Sequence, residues 1–259
     1  MTRRIVTVVV LSVIVVLAVA GCSGAPPATQ APVVRTPAAR PATTTWWAFT
    51  VDGVRPVPVN GSQDTQAQAA GAVCASSQLA SDQVLGGQIA AGFAAANFPV
   101  AAALLRHFLA GSGKAVNYPA GSQIAQLALA SAQFTAVRKE VTAAVLRQLA
   151  AGKSAVRLSA GQLPPPTFSL TSSDLYWGFR GTQGLTVTGN GIRKNGRYVG
   201  TLTYVIRDSY GFPVDDTLNG FGPPMRYLQT VCGAPQHAGG AHWFPDSITV
   251  TVPFNQPAA

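Results

Sequence analysis

The sequence predicts an α+β fold with a helical first half and an antiparallel β-rich second half. Residues 65–151 are rich in alanine and carry apolar residues at helical spacing, whereas apolar and polar residues tend to alternate after Gly152. Proline and glycine signals divide the second half into short runs, which is typical of strands and turns. The chain has 259 residues, 47% of them hydrophobic and only 10% charged, so it can bury a core and is not a disordered polyelectrolyte.

The first 21 residues are predicted to be a secretory signal peptide. Arg3 and Arg4 precede an apolar run from Ile5 to Ala20, which ends in small residues. A transmembrane helix is the alternative, but this run is shorter than the roughly 20 residues that cross a bilayer. The residues Val19-Ala20-Gly21-Cys22 resemble a bacterial lipobox, which implies that Cys22 carries the lipid, palmitate included. We therefore expect a secreted lipoprotein on the extracytoplasmic side of the cell membrane.

Residues 22–45 are predicted to form an extended tether, because proline, alanine and threonine dominate them without an apolar period. Residues 46–259 are expected to fold as a single composite domain, mainly helical over 46–152 and mainly β over 153–259. A short strand at residues 46–51 would begin this domain, since aromatic and β-branched residues concentrate there.

The net charge of the chain is +9, and it falls to +7 when a signal peptide containing Arg3 and Arg4 is removed. An anionic membrane surface attracts such a charge. The cations are scattered along the chain, so the sequence predicts no nucleic-acid partner. Glu140 is the only glutamate, and carboxylate chemistry therefore has few candidate residues.

Two cysteines, Cys74 and Cys232, remain when Cys22 is assigned to the lipid. Outside the cytoplasm we expect them to form a disulfide that joins the helical half to the β-rich half. The alternative is a pair of buried free thiols.

The helical half divides into three predicted helices. The first runs from Thr65 to Leu85 and ends at Gly86-Gly87, a pair that favours a break. Asn97 is placed to cap the second, which has Pro99 in its first turn, and Ser131 is placed to cap the third. The third helix would bury the stripe Phe134, Val137, Val141, Val145 and Leu149 and stop at Gly152.

The second half is predicted to consist mainly of strands. Short strands are expected around Val156–Leu158 and Phe168–Leu170, and Asn195-Gly196 between two apolar runs predicts a β-hairpin. Met225–Val231 favours a short helix before Cys232, and the alternation over Ser247–Val252 favours a last strand.

No complete cofactor or metal motif is present. Lys114 follows Gly111-Ser112-Gly113, but the other residues of a phosphate-binding loop are missing. His237 and His242 lie near Asp246, yet their spacing in a glycine-rich loop does not fix a metal geometry, and we expect solvated histidines. The sequence therefore predicts neither a metal nor a cofactor.

The densest polar segment begins at the end of a predicted strand, with Arg207 and Asp208, and continues to Arg226. It also contains Tyr210, Asp215 and Asp216. Clustered acids at a strand end can perturb one another and serve as general acid and base groups. The alternative is a turn in which the acids accept bonds from local amides and the two arginines neutralise them.

Two resemblances follow from these residues. With His107-Phe-Leu-Ala-Gly-Ser-Gly113, the mature chain resembles uncharacterised actinobacterial, especially mycobacterial, lipoproteins, which implies no activity. Around Asp208-x-Tyr210 the chain is similar to the colicin M family, phosphodiesterases that cleave the lipid-linked peptidoglycan precursor. That family carries Asp-x-Tyr-Asp with a downstream arginine, whereas Gly211 replaces the second aspartate here.

Two functions are therefore expected. The first is a membrane-anchored cell-envelope lipoprotein that acts as a binding or structural module, with an envelope protein or a cell-wall component as its partner. The alternative is a hydrolase of lipid-linked or polysaccharide envelope substrates. In it Asp208 would be the acid or base, Tyr210 a hydrogen-bond donor and Arg226 the group that stabilises phosphate charge. Asp215 or Asp216 would supply the missing carboxylate.

Overall fold

The structure, a computed structural model, describes residues 45–51, 73–152, 155–158, 165–168, 173–212, 221–233 and 239–258. These residues belong to a compact unit that spans Ala42–Ala259. The predicted signal peptide, Cys22 and nearly all of the tether lie outside the described residues. So do the start of the first predicted helix, Leu170, Asp215, Asp216 and His237.

The described residues form helices mostly in the N-terminal half and strands mostly in the C-terminal half, which confirms the α+β class. The helices are α1 (Ser76–Ala95), α2 (Pro99–Leu109), α3 (Gln123–Ala130), α4 (Ala132–Ala150), α5 (Ser173–Phe179) and α6 (Gly222–Thr230). The strands are β1 (Thr45–Val51), β2 (Val116–Tyr118), β3 (Ala155–Leu158), β4 (Gly184–Lys194), β5 (Arg197–Tyr210) and β6 (Phe244–Pro257).

The described strands join in one sheet with the order β2-β6-β5-β4-β1-β3. The four inner strands are antiparallel, but β2 pairs parallel with β6 and β3 pairs parallel with β1. The predicted antiparallel β-rich half thus forms the centre of a mixed sheet that has a parallel pair at each edge. Each parallel pair joins strands that are far apart in the chain, as parallel pairing requires a long crossover connection.

Several local signals act as predicted. The hairpin between β4 and β5 turns at Asn195-Gly196, where both residues have positive φ, 51° and 69°. Ser131 caps α4 by accepting a hydrogen bond from the amide of Phe134 at 3.1 Å. β1 and β3 confirm the predicted strands at 46–51 and 156–158. Phe168, by contrast, lies outside any strand.

Two predictions about the first helices are wrong. Helix α1 continues through Gly86-Gly87, because the missing side chain of Gly86 lets Leu109 pack against the helix; a Cβ there would lie 2.7 Å from Leu109 Cδ2. Asn97 does not cap α2. The free amides of its first turn instead donate to the carboxylate of Asp174 in α5, from Val100 at 3.1 Å and from Ala101 at 2.7 Å.

The core lies between the helices and one face of the sheet, here called the inner face. Alternate residues of β5 and β6 point inward because side chains along a strand alternate between faces. Tyr204 of β5 is fully buried and packs edge-on against Phe134 of α4, with ring centroids 5.0 Å apart. The opposite face, here called the outer face, is partly exposed and carries mostly polar residues and prolines on these strands.

The disulfide between Cys74 and Cys232 is present and links the residues just before α1 to those just after α6. It spans a sequence separation of 158 residues. In the part of the chain that the structure describes, no helix combines the length and the apolar character needed to cross a membrane.

Candidate functional site

Two buried aspartates face each other across neighbouring strands of the sheet. Asp208 of β5 and Asp246 of β6 are direct partners in the antiparallel register, and their exposed fractions are only 4% and 3%. Residues directly opposite in such a pair hold their Cβ atoms about 5 Å apart. The two carboxyl groups therefore occupy one small region of the inner face.

The alternation of the two strands places both acids on this face. In β5, Asp208 continues the buried series of Tyr204 and Ile206, and in β6, Asp246 precedes the buried series that starts at Ile248. A strand cannot turn one of these residues outward without turning the whole series, so the register forces the acids into the core.

The hydrogen bonds of the two carboxyl groups are unequal. Asp208 Oδ1 accepts from the amide of Ser209 at 2.8 Å, and the backbone of Gly181 also bonds to this carboxylate. Within the described residues, no other residue donates a hydrogen bond to either carboxylate oxygen of Asp246. An ionised carboxylate in that position would lose its hydration without replacement, which favours the protonated form.

Burial raises the pKa of Asp208 from its ordinary 3.8 to about 7, although the amide bonds from Ser209 and Gly181 and the charge of Arg180 oppose the shift. The pKa of Asp246 lies well above its ordinary value, first because of burial and then because of the neighbouring charge of Asp208. Both shifts favour the protonated forms of the two carboxyl groups.

A cavity of about 240 Å³ lies beside these strands, lined by Asn117, Arg207, Asp208, Pro245, Asp246 and Ser247. Arg207 is the direct partner of Ser247, and Ser247 is the direct partner of Asn117 in β2. Because neighbouring residues of a strand point to opposite faces, this row of three side chains lies on the outer face, behind the acid pair. At this end of the sheet, the acid pair therefore lies on the inner face, and a polar row with one cationic side chain lies on the outer face.

The other residues of the predicted catalytic set do not line this cavity. The ring of Tyr210 stacks on Phe244, with centroids 5.4 Å apart, and meets Phe108 and Phe212 edge-on. Arg226 lies on α6. The structure thus brings Asp208 together with Asp246 and places Tyr210 in an aromatic part of the core.

The residues from His107 to Lys114 form the end of α2 and the loop that follows it. His107 Nε2 is 3.1 Å from Ser112 Oγ and 2.8 Å from the carbonyl of Lys114, and its ring meets Phe244 edge-on at 4.4 Å. Gly111 has φ +64°, and a Cβ there would lie 2.5 Å from the carbonyl oxygen of Gly240. The backbone of this segment therefore packs closely against the residues that lead into β6.

His242 is one of the two histidines considered above for a metal site. It is partly buried, and its amide donates to the carbonyl of Phe108. Among the described residues, no group of three or more His, Cys, Asp or Glu side chains could hold a metal ion.

Four aromatic side chains form a second feature, here called the surface aromatic cluster: Phe93 of α1, Tyr176 and Trp177 of α5, and Phe221 just before α6. Trp177 lies 5.3 Å from Phe93, 6.0 Å from Phe221 and 5.0 Å from Tyr176 between ring centroids, and all four remain partly exposed. The guanidinium of Arg180 lies 5.8 Å from the Tyr176 ring centroid.

A glycine sets the position of this cluster. A Cβ at Gly178 would lie 3.0 Å from Leu104 Cδ1, so the absence of a side chain lets α5 approach α2 closely. Beside this close contact, Trp177 packs laterally against Phe93 of α1 and against Phe221, and Tyr176 packs against Trp177.

Comparison of the chain with protein-family models, curated proteins and solved structures gave no match.

Sequence reasoning missed Asp246 as the partner of Asp208, although a signal for it was present. Phe244, Asp246, Ile248 and Val250 alternate with smaller or polar residues, so Asp246 is in phase with a buried face. Sequence reasoning also missed the surface aromatic cluster, because its members come from three separate elements.

Proposed function

We propose that the protein is a lipid-anchored binding module of the cell envelope that contacts its partner through the surface aromatic cluster. The observation that supports binding is the convergence of four partly exposed aromatic side chains from three elements. Tyrosine, tryptophan and arginine are enriched among the residues that contribute most of the binding energy in protein interfaces. Tyr176, Trp177 and Arg180 lie close together in the sequence, at the end of α5 and directly after it. This composition favours an envelope protein as the partner.

The anchor belongs to the same proposal and rests on the sequence. The basic start, the apolar run and the lipobox-like residues before Cys22 support export and lipidation, as does the resemblance to actinobacterial lipoproteins. The disulfide is consistent with an oxidising compartment. Cys22→Ala should abolish lipidation, and intact-mass analysis of the mature chain tests this. A wild-type mature N-terminus other than a diacylated Cys22 would refute the anchor.

Site-specific cross-linking tests the binding surface. A photo-reactive residue at Tyr176 should cross-link to a partner in native envelopes, whereas the same residue at the exposed Lys139 of α4 should not. Trp177→Ala should weaken the Tyr176 cross-link, with the melting temperature as the control for folding. Equal cross-linking from Tyr176 and Lys139 would exclude the cluster as the contact surface.

A hydrolase is the second candidate, and the Asp208–Asp246 pair is the observation that favours it. Two neighbouring carboxyl groups with raised pKa values are the arrangement that acid and base chemistry uses. In this form of the proposal Asp246, rather than Asp215 or Asp216, supplies the second carboxyl group. The burial of both acids weakens the proposal, since a substrate would have to reach two nearly inaccessible side chains through the small cavity that they line.

The activity test uses the purified chain with the lipid-linked peptidoglycan precursor and with cell-wall polysaccharide. Turnover by the wild type that is lost in both Asp208→Asn and Asp246→Asn, at a melting temperature no lower than that of the wild type, would support the hydrolase. Full activity in Asp208→Asn would exclude this acid as the catalytic group.

A further inference from the structure

The outer face of the sheet carries a polar row that neither proposed function uses. Arg207, Ser247 and Asn117 are in register across β5, β6 and β2 and line the cavity of about 240 Å³. The row is built on three hydrogen-bonded strands, so its spacing is fixed by the sheet rather than by a loop.

Arg207 provides the only charge of this row. Its side chain is partly buried, and in the described part of the chain its Nη1 donates to Thr186 Oγ1 and no carboxylate pairs with it. Asp208 and Asp246 also line this cavity, but their side chains belong to the inner face of the sheet, where burial favours their protonated forms. A guanidinium has five N–H donors, so most of them remain for a ligand.

The two other members of the row add a neutral donor to the lining of the same cavity. Ser247 Oγ donates to Asn117 Oδ1 at 2.7 Å. With its oxygen engaged in this way, Asn117 has its amide nitrogen left to donate. Arg207 lines the cavity while its guanidinium donates to Thr186 of the neighbouring strand β4, so this bond restrains the arginine side chain before a ligand arrives.

We infer that this cavity is a binding site for an oxyanion, a carboxylate or a phosphate group on a small unit such as one sugar ring. The planar fork of arginine matches both groups in two parallel hydrogen bonds. The volume is below the roughly 300–1,000 Å³ of pockets that enclose drug-sized ligands, which limits the occupant to a small unit. The inference goes beyond the proposed function because it needs neither the surface aromatic cluster nor the lipid anchor.

Ligand titration of the full chain, followed by NMR, tests the site with three probes: inorganic phosphate, glucuronate and uncharged glucose. We expect phosphate, glucuronate or both to shift the amide signals of Asn117 and Ser247. Glucose should leave these signals unchanged. Response to phosphate alone identifies a phosphoryl ligand, and response to glucuronate alone identifies a carboxylate ligand. No response to either anion, or an equal response to glucose, would overturn the inference.

Variants separate the site from general charge effects. Arg207→Met should weaken binding at least tenfold, because it removes the charge and the fork. Arg207→Lys keeps the charge, provides a second variant if the first unfolds, and should weaken binding by a smaller factor. Arg197→Met is the matched control, since Arg197 lies on the same strand and face but bonds to Asn255 instead. Equal weakening by Arg197→Met and Arg207→Met would also overturn the inference.

Discussion

The substitution Asp208→Asn removes one ionisable group from the buried pair and keeps its shape. The substituted side chain can still accept the bond from the amide of Ser209, because an amide oxygen takes the place of the carboxylate oxygen. It can no longer be ionised, and its neutrality also removes the charge that raises the pKa of Asp246. In acid, the variant should therefore have nearly the free energy of unfolding of the wild type. As the pH rises, its free energy of unfolding should fall less than that of the wild type.

The sign of the effect follows from the direction of the shift. Asp208 has a pKa of about 7 in the folded protein and an ordinary value of 3.8, so the folded state binds the proton more tightly than the unfolded state. The stabilisation is fully present below about pH 4 and is lost as the pH rises through about 7. At 1.4 kcal/mol for each pH unit, the wild type should lose about 4 kcal/mol of its free energy of unfolding across this range.

Urea unfolding of the full chain between pH 4 and pH 8 measures this loss. We expect Asp208→Asn to flatten the decline and to be more stable than the wild type at pH 8. Glu140→Gln, which removes an exposed carboxyl group on α4, should retain the wild-type decline. A wild type whose stability does not fall between pH 4 and pH 8, or an Asp208→Asn variant that declines as steeply, would refute the reasoning.

Three further predictions concern the fold. Replacing Cys74 and Cys232 together by serine should lower the free energy of unfolding by about 5 kcal/mol, because the cross-link constrains a long loop of the unfolded chain; reduction of the wild type should give the same loss in urea unfolding. Gly111→Ala should cost at least about 1–2 kcal/mol, since φ is +64° and the added Cβ meets the Gly240 carbonyl; equal urea midpoints for variant and wild type would contradict this. Phe134→Ala should cost about 3–5 kcal/mol in the same assay because the ring is fully buried, whereas alanine at the exposed Thr135 should change stability by less than about 0.5 kcal/mol.

The local parts of the fold could be predicted from the sequence because their causes are local. A positive φ at Asn195-Gly196 makes the hairpin, and the Ser131 side chain bonds to an amide only three residues away. The change from helical spacing to alternation after Gly152 was sufficient for the α+β class. The signal peptide and lipid anchor remain predictions.

The tertiary structure alone decided the features whose causes lie far away in the chain. Helix α1 continues through Gly86 because Leu109 fills the space beside it, and α2 is capped by Asp174 from a later helix. Asp208 and Asp246 are separated by 38 positions, and each alone looks like a strand-end acid. The two acids meet because of the register between β5 and β6, and the packing of the whole inner face sets that register. Only this register places an acid pair behind the row that contains Arg207.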